Sequence, residues 1–311
     1  MKVIEIKNLV KKYDDTVAVD NISLSIEEGE IYGILGPNGA GKSTAISIIC
    51  SLLHATTGEV LVLGEDIKKS SLKVKKQLGL VPQSIALYRD FTAYENVKFF
   101  GELYGLRGRE LKESIDSALE FTGLLEMKNK KAKEFSGGML RRLNIACAII
   151  HNPKVLIMDE PTVGIDAQSR NHIIQSVKNL NKKGVTIVYT THYMEEAEAL
   201  CSKIAIIDQG KIIVEGSKEE LKDMVSDKRT LNIGLEDIYK VNIEVLKNIE
   251  GVSDIVINED NLIISSSKEV NNLDRIIKAV SDQGVKITDL GFKEITLETV
   301  FLSLTGKKLR D

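Results

Sequence analysis

The sequence predicts an α/β protein with a small α+β module towards its C-terminal end. Three observations carry this. Short, continuous apolar runs at residues 31–35, 155–158 and 185–190 are separated by helix-like stretches. Such runs are strands buried on both faces, as in a parallel sheet covered by helices. The first of them runs directly into Gly36-Pro37-Asn38-Gly39-Ala40-Gly41-Lys42-Ser43-Thr44, which has the phosphate-binding pattern GxxxxGK[ST]. Beyond about residue 223 the rhythm changes to strand, helix, two strands, helix, strand. That βαββαβ order suggests a ferredoxin-like module.

The elements follow in chain order. Val3, Ile4 and Ile6 begin a strand, and Ile22, Leu24 and Ile26 alternate as a second. Residues 44–53 are apolar and helix-like, and helical patterns dominate from about Ala93 to Ile150. Residues 203–207 and 212–214 read as late strands around the turn Asp208-Gln209-Gly210. After a polar, charged stretch at 223–229, strands are expected at 231–235, 253–257, 261–265 and 285–290. Helices are expected at 241–249, 273–280 and 297–304. The two middle strands pair as a hairpin through Glu259 and Asp260.

Bulk composition narrows the function. The 311 residues suit one large domain and a smaller one. With 28% charged and 43% hydrophobic residues the chain reads as an ordinary soluble globular protein. Its net charge of −3 gives no footprint for nucleic acid. Cys50, Cys147 and Cys201 are scattered without metal-ligand spacing and fit buried thiols in a reducing compartment. The opening MKVIEIKNLV alternates like a strand rather than a signal peptide. No apolar stretch approaches the length of a membrane span, and Trp is absent. Any membrane role is therefore expected to run through a partner chain.

Two stretches carry chemistry by themselves. In the glycine loop, backbone N–H groups form a nest at a helix N-terminus, where nest and helix dipole both favour an anion. Gly39 and Gly41 permit close backbone approach, Lys42 supplies a point charge for the outer phosphates, and Ser43 offers a hydroxyl to Mg²⁺. The second stretch, Val155-Leu156-Ile157-Met158-Asp159-Glu160, ends a buried strand in two carboxylates. The C-terminal ends of strands are where α/β sheets place their ligand sites. Asp159 suits Mg²⁺ coordination, through water. Glu160 suits orienting or deprotonating an attacking water.

Phe135-Ser136-Gly137-Gly138-Met139, followed by Arg141, Arg142 and an apolar helix, resembles the signature loop LSGGQ of ATP-binding cassette (ABC) proteins. The phosphate loop, Gln83, VLIMDE, Gly164-Ile165-Asp166 and His192 occur with it in the family's order, and the likeness covers residues 1 to about 223. Met139 stands where the family pattern has Gln, and Val163 and Ile165 are apolar departures in PTVGID. Both variants resemble the ATP-binding subunits of bacterial drug exporters of the daunorubicin and linearmycin resistance type.

The resemblance implies a P-loop cassette spanning 1–223. It would combine a RecA-like core, a helical subdomain at about 84–150 and an antiparallel β subdomain, with an accessory domain at 224–311. Its cofactors would be ATP and Mg²⁺. Tyr13, by itself an ordinary packing residue at a strand end, becomes the aromatic that stacks on adenine. Gln83 reaches the metal and the water, and His192 contacts the γ-phosphate. Asp159 and Ser43 serve the metal, and Glu160 is the base. Ser136, Gly137 and Gly138 form a second anion site that closes over the nucleotide of another subunit. Two copies of the chain, or this chain and a homologous cassette, would then sandwich two ATP molecules.

The partners implied are polytopic membrane permease subunits, which place the chain peripherally on the cytoplasmic face of the membrane. Leu87, Tyr88, Phe91, Phe99 and Phe100 could furnish a groove for a permease, or could equally be helical core. The closing ITLETVFLSLTGKKLRD resembles the tail of drug-resistance cassettes, which supports the dimer. Cassette ATPases of DNA repair split their halves with coiled coils or zinc modules. Neither sustained heptads nor cysteine pairs occur here. Translation-associated proteins carry two cassettes, and this sequence has one. The run Lys128, Lys130, Lys131, Lys133 reads as a solvated face. Glu195, Glu196 and Glu198 read as an acidic helix start that suits the dipole.

Overall fold

Alternating and continuous apolar segments both become strands, and the difference between them decides which sheet they join. The alternating N-terminal segments are β1 (Lys2–Tyr13) and β2 (Thr16–Glu27), followed by the continuous run β3 (Ile31–Leu35). The glycine loop leads into α1 (Lys42–Ile49), then β4 (Thr57–Val62), β5 (Glu65–Asp66), α2 (Ser71–Lys75) and β6 (Leu78–Val81). Three helices succeed one another: α3 (Ala93–Leu103), α4 (Gly108–Phe121) and α5 (Gly137–Ile149). Next come β7 (Val155–Asp159), α6 (Ala167–Lys182), β8 (Thr186–Thr191) and α7 (Met194–Leu200). They are followed by the hairpin of β9 (Lys203–Asp208) and β10 (Lys211–Ser217). This is a computed structural model, and it describes residues 1–225, 228–258, 261–292 and 296–305.

The half-buried strands form an antiparallel sheet of order β2-β1-β4-β5. The continuous apolar strands form a six-stranded sheet of order β10-β9-β3-β8-β7-β6, parallel except for its edge strand β10. One apolar cluster joins the two sheets. It runs from Ile4, Ile6, Ile22 and Ile26 through Tyr32 and Ile34 to Ile46 and Ile49 on α1. The parallel register aligns Leu35 with Thr191 and Asp159 with Thr190. The C-terminal ends of β3, β7 and β8 therefore finish level, and the residues that follow each strand share one edge of the sheet.

Helices α3, α4 and α5 pack together between β6 and β7, where the sequence implies a helical subdomain. Thr92 starts α3 with a capping box: its hydroxyl accepts from Glu95 N–H at 3.1 Å, and Glu95 Oε2 accepts from Thr92 N–H at 2.8 Å. Asn96 is fully buried and satisfied on both ends of its amide. Its Oδ1 accepts from Tyr88 N–H at 2.9 Å, and its Nδ2 donates to Tyr88 O at 3.0 Å and Thr92 O at 2.9 Å. One side chain thus fixes the non-repetitive segment 88–92.

The chain divides into two compact units, Met1–Lys218 together with the end of the chain from Leu304, and Glu219–Ser303. The sequence-derived boundary near 223 falls inside α8 (Lys218–Val225), a helix that the polar composition there conceals. The second unit then runs β11 (Lys228–Leu235), α9 (Ile243–Lys247), β12 (Val252–Asn258), β13 (Asn261–Ser267), α10 (Leu273–Ser281) and β14 (Ile287–Phe292). Helix α11 (Leu297–Thr305) follows. Its sheet is antiparallel with order β12-β13-β11-β14, and the core gathers Leu231, Ile233, Leu262, Ile264, Ile276 and Val280. The βαββαβ order of the sequence is present.

Several elements differ in extent, among them β11, which starts at Lys228 instead of 231. The helix expected at 241–249 shortens to α9, because Asn242 caps it by accepting from Glu244 N–H at 3.1 Å. The last strand starts at Ile287 instead of 285. The hairpin turn at Glu259 and Asp260 and the tail beyond Thr305 lie outside the described residues. Among the described residues no helix is long and apolar enough to cross a membrane.

Replacing Asn96 with Ala leaves at least one buried backbone group without a partner, which costs about 1–3 kcal/mol. Urea unfolding should show that loss, and an unchanged midpoint would refute the role given to Asn96.

Candidate functional site

The loop between β3 and α1 is built so that its amides stay free for an anion. Gly41 occupies the N-cap of α1 with φ of 101°, and no side chain caps the helix. A side chain here is excluded twice over, by the left-handed backbone and by Ala18 O, which lies 2.3 Å from where a Cβ would be. The first-turn N–H groups of α1 are thus not consumed by a capping residue. Lys42 opens the helix and is 4% exposed. Its Nζ folds back over the loop, donating to Gly36 O at 2.8 Å and Pro37 O at 3.0 Å. Asn38, Gly39 and Ser43 are exposed along the same loop and helix start.

Glu160 brings the expected residues together. It follows β7 directly, is 3% exposed, and sits in the left-handed region with φ of 45°. Its Oε1 lies 2.9 Å from Lys42 Nζ. Its Oε2 accepts from Gln83 Nε2 at 3.0 Å and lies 3.3 Å from His192 Nδ1. Burial by itself would raise this carboxyl's pKa. The hydrogen bond and charge of Lys42, with His192 adding to them, outweigh it and hold the group below the ordinary carboxylate range. Loop, strand end, glutamine segment and histidine segment therefore meet at one ionised carboxylate.

Thr190 orients the Asp159 carboxylate and holds the backbone of Glu160. Its hydroxyl donates to Asp159 Oδ1 at 2.6 Å and accepts from Glu160 N–H at 2.9 Å. Sequence inspection misses it, because Thr190 reads as one more β-branched strand residue. The register that sets it opposite Asp159 is a long-range fact.

Ser136 is the N-cap of α5, its hydroxyl accepting from Met139 N–H at 3.3 Å, and Ser136 and Gly137 are exposed. Gly138 is buried against α6, with Ser169 Oγ 2.0 Å from where its Cβ would be. Ser169 is itself held by Asp166, the N-cap of α6, through bonds of 2.8 and 2.7 Å. The signature loop and the Asp166 loop are thus one packed unit. From α5, Arg141 Nη1 donates to Pro82 O at 2.9 Å and Gln83 O at 2.8 Å, and Asn144 Nδ2 donates to Ser84 O at 3.3 Å. The segment carrying Gln83 therefore hangs from the signature helix. Among the described residues no hydrogen bond or ion pair joins Ser136, Gly137 or Gly138 to Lys42, Glu160 or His192.

Tyr13 ends β1 and is 45% exposed, its ring facing Lys11 Nζ at 4.8 Å. The three cysteines are buried free thiols, and burial pushes Cys50 and Cys201 up to about 12. The lysine run is in part ion-paired, Lys128 with Asp116 at 3.0 Å and Lys133 with Asp90 at 2.9 Å. Glu195 and Glu196 lie in the first turn of α7, as an acidic helix start requires, and Glu196 is besides buried, at 2% exposure.

Comparison with known proteins identifies the family. Residues 19–163 match the family model described as ABC transporter. The chain is 42% identical to the linearmycin resistance ATP-binding protein of Bacillus subtilis (strain 168), over 99% of this chain and 100% of that one. It is 33% identical to a daunorubicin resistance ATP-binding protein of Streptomyces coeruleorubidus, over 96% of this chain and 95% of that one. Among solved structures, a dimeric bacterial ABC transporter cassette superposes with a TM-score of 0.64 at 31% identity, over 69% of this chain and 98% of that one. The chain belongs to the ABC transporter family, as an ATP-binding subunit.

Proposed function

We propose that two copies of this chain close over two molecules of ATP and that hydrolysis at Glu160 drives export through a separate membrane permease. The observation that carries this is the convergence of Lys42, Gln83 and His192 on the Glu160 carboxylate. ABC ATP-binding subunits couple ATP hydrolysis to transport, work with membrane permeases and form dimers.

The chemistry follows from the contacts. Lys42 exchanges Glu160 and a loop carbonyl for phosphate oxygens, and the loop amides from Gly36 to Thr44 hold the remaining charge. Glu160, freed from Lys42, accepts a proton from water. The water oxygen attacks the γ-phosphorus in line, and the bond from phosphorus to the ADP oxygen breaks. Before that exchange Lys42 holds Glu160 ionised, and once Lys42 turns to phosphate that lowering is lost and the buried carboxylate becomes a stronger base. His192 contacts the γ-phosphate, and Gln83 orients the water. Tyr13, exposed at the end of β1, stacks on adenine.

The donor set fits Mg²⁺. It consists of the exposed Ser43 hydroxyl, the Gln83 amide oxygen and the Asp159 carboxylate, which Thr190 orients through Oδ1. A cation that keeps water and phosphate ligands needs only a few such hard oxygens from protein. When bound it would neutralise charge on the outer phosphates.

Ser136, Gly137 and Gly138 serve the partner subunit's nucleotide, as the exposure of Ser136 and Gly137 at the start of α5 and the lack, among the described residues, of bonds from all three to this chain's own Lys42 group suggest. The permease docks on the surface around Tyr88 and Phe91. There Tyr88 stacks on Phe91 at 5.0 Å and meets Phe99 edge-on at 4.9 Å, with Tyr88 and Phe91 exposed and Phe99 half-buried. A surface of packed but uncovered aromatics suits a docking site better than core. The chain then works at the cytoplasmic face of the membrane. The names of the linearmycin and daunorubicin relatives favour an antibiotic or similar amphipathic cargo.

Glu160→Gln should lower ATP turnover at least about 100-fold while ATP still binds. Near-normal phosphate release from that variant would remove Glu160 as the base. Lys42→Ala should weaken ATP binding roughly 10- to 100-fold, the loss of a charge-assisted bond. Titration with a fluorescent ATP analogue reads this directly, and unchanged affinity would refute the phosphate assignment.

A further inference from the structure

Two residues beyond Glu160, the Thr162 hydroxyl donates to Glu196 Oε2 at 2.8 Å. The same oxygen accepts from Tyr189 OH at 3.0 Å and from Thr191 Oγ1 at 3.1 Å, both on β8. Arg170 Nε, on α6, lies 3.5 Å from the other carboxylate oxygen, Oε1. Glu196 is 2% exposed, Thr162 and Thr191 are each 1% exposed, and Tyr189 is fully buried. An isolated carboxylate at such depth is costly, so this one is held by three hydroxyl donors and a guanidinium.

The connections have a direction. Thr191 Oγ1 also accepts from Tyr193 N–H at 2.9 Å, so both neighbours of His192 in the chain are tied to the Glu196 group. Arg170 lies over the Tyr193 ring at 4.8 Å, and that ring lies 4.2 Å from the His192 ring. Thr162 ties in the segment that leaves Glu160. A dipole partner in the first turn of α7 needs none of these bonds, and Glu195 beside it is exposed without them.

We infer that Glu196 is a positioning residue, locking the segment after Glu160 to the segment around His192. It thereby sets the 3.3 Å approach of His192 Nδ1 to the Glu160 carboxylate. The inference rests on the reading of Glu160 and His192 as the groups that meet water and γ-phosphate. Neither Glu196 nor Thr162 touches the nucleotide in this scheme. A shift of an ångström in the groups they hold is enough to slow the chemistry about 100-fold.

The test is ATP hydrolysis by the full chain carrying Glu196→Gln, Glu196→Leu or Thr162→Val, each alone and combined with His192→Ala, with thermal unfolding followed in parallel. Glu196→Leu should lower kcat about 10- to 100-fold with little change in KM for ATP. Glu196→Gln, which keeps an acceptor oxygen, should recover part of the loss. In the His192→Ala background the Glu196 substitutions should cost little more, because the geometry they protect is already gone. Equal fold losses with and without His192, or lowered melting with unchanged kcat, would overturn the positioning role. If Glu196→Leu does not fold, Thr162→Val decides by the same comparison, with a loss of about threefold to tenfold. A normal kcat in His192→Ala alone would remove the underlying reading of the site and this inference with it. A slowed His192→Ala with additive Glu196 losses would remove the inference alone.

Discussion

The Lys42–Glu160 ion pair is the interaction around which the first unit is arranged. Both groups are almost fully buried, at 4% and 3% exposure, and lie 2.9 Å apart. Removing two charges from water costs several kcal/mol each, and only close pairing with further hydrogen bonds offsets it. Those further bonds are present. Two loop carbonyls accept from Lys42, and Gln83 donates to Glu160. Glu160 also holds a left-handed backbone at φ of 45°, a conformation that persists only where its surroundings enforce it. The bond from Glu160 N–H to Thr190 Oγ1 is part of that enforcement. A pair assembled this way is well suited to exchange, since a phosphate offers Lys42 a charge equal to the one it leaves.

The pair requires the sheet. Lys42 follows β3, Glu160 follows β7 and His192 follows β8, and a parallel register makes all three strands end level. A slip of one residue between β7 and β8 would separate Thr190 from Asp159 and carry His192 away from Glu160. The continuous apolar runs that bury these strands on both faces are thus also what fixes the site's geometry.

What could be read from the sequence was local. The glycine loop, the acids of VLIMDE and the serine-glycine pair each declare themselves within a few residues, because a phosphate nest, a strand end and a helix start are local constructions. Thr190, Arg141 and Glu196 do not. Thr190 acts through register, Arg141 through carbonyls 58 and 59 residues away, and Glu196 through Thr162, 34 residues earlier. Nothing near Glu196 in the chain distinguishes it from Glu195, yet one is buried and the other exposed. The second unit follows the same rule. Its βαββαβ order was visible from alternation, whereas the length of α9 depended on an Asn242 cap inside an apolar pattern.

The signature loop is the part of the site that a single chain leaves apart. It packs on the Asp166 loop and grips the Gln83 segment, while Ser136 and Gly137 are exposed and, among the described residues, make no bond to this chain's own Lys42, Glu160 or His192. The most direct test of the two-chain site is complementation between Glu160→Gln and Gly137→Asp. The second substitution has room at its Cβ and places a negative charge where a phosphate would sit. Each variant alone should be nearly inactive. A mixed dimer has one intact site, so an equimolar mixture should recover about a quarter of normal ATPase activity, from half the dimers with one of two sites each. A mixture as inactive as its components would contradict a site shared between two chains.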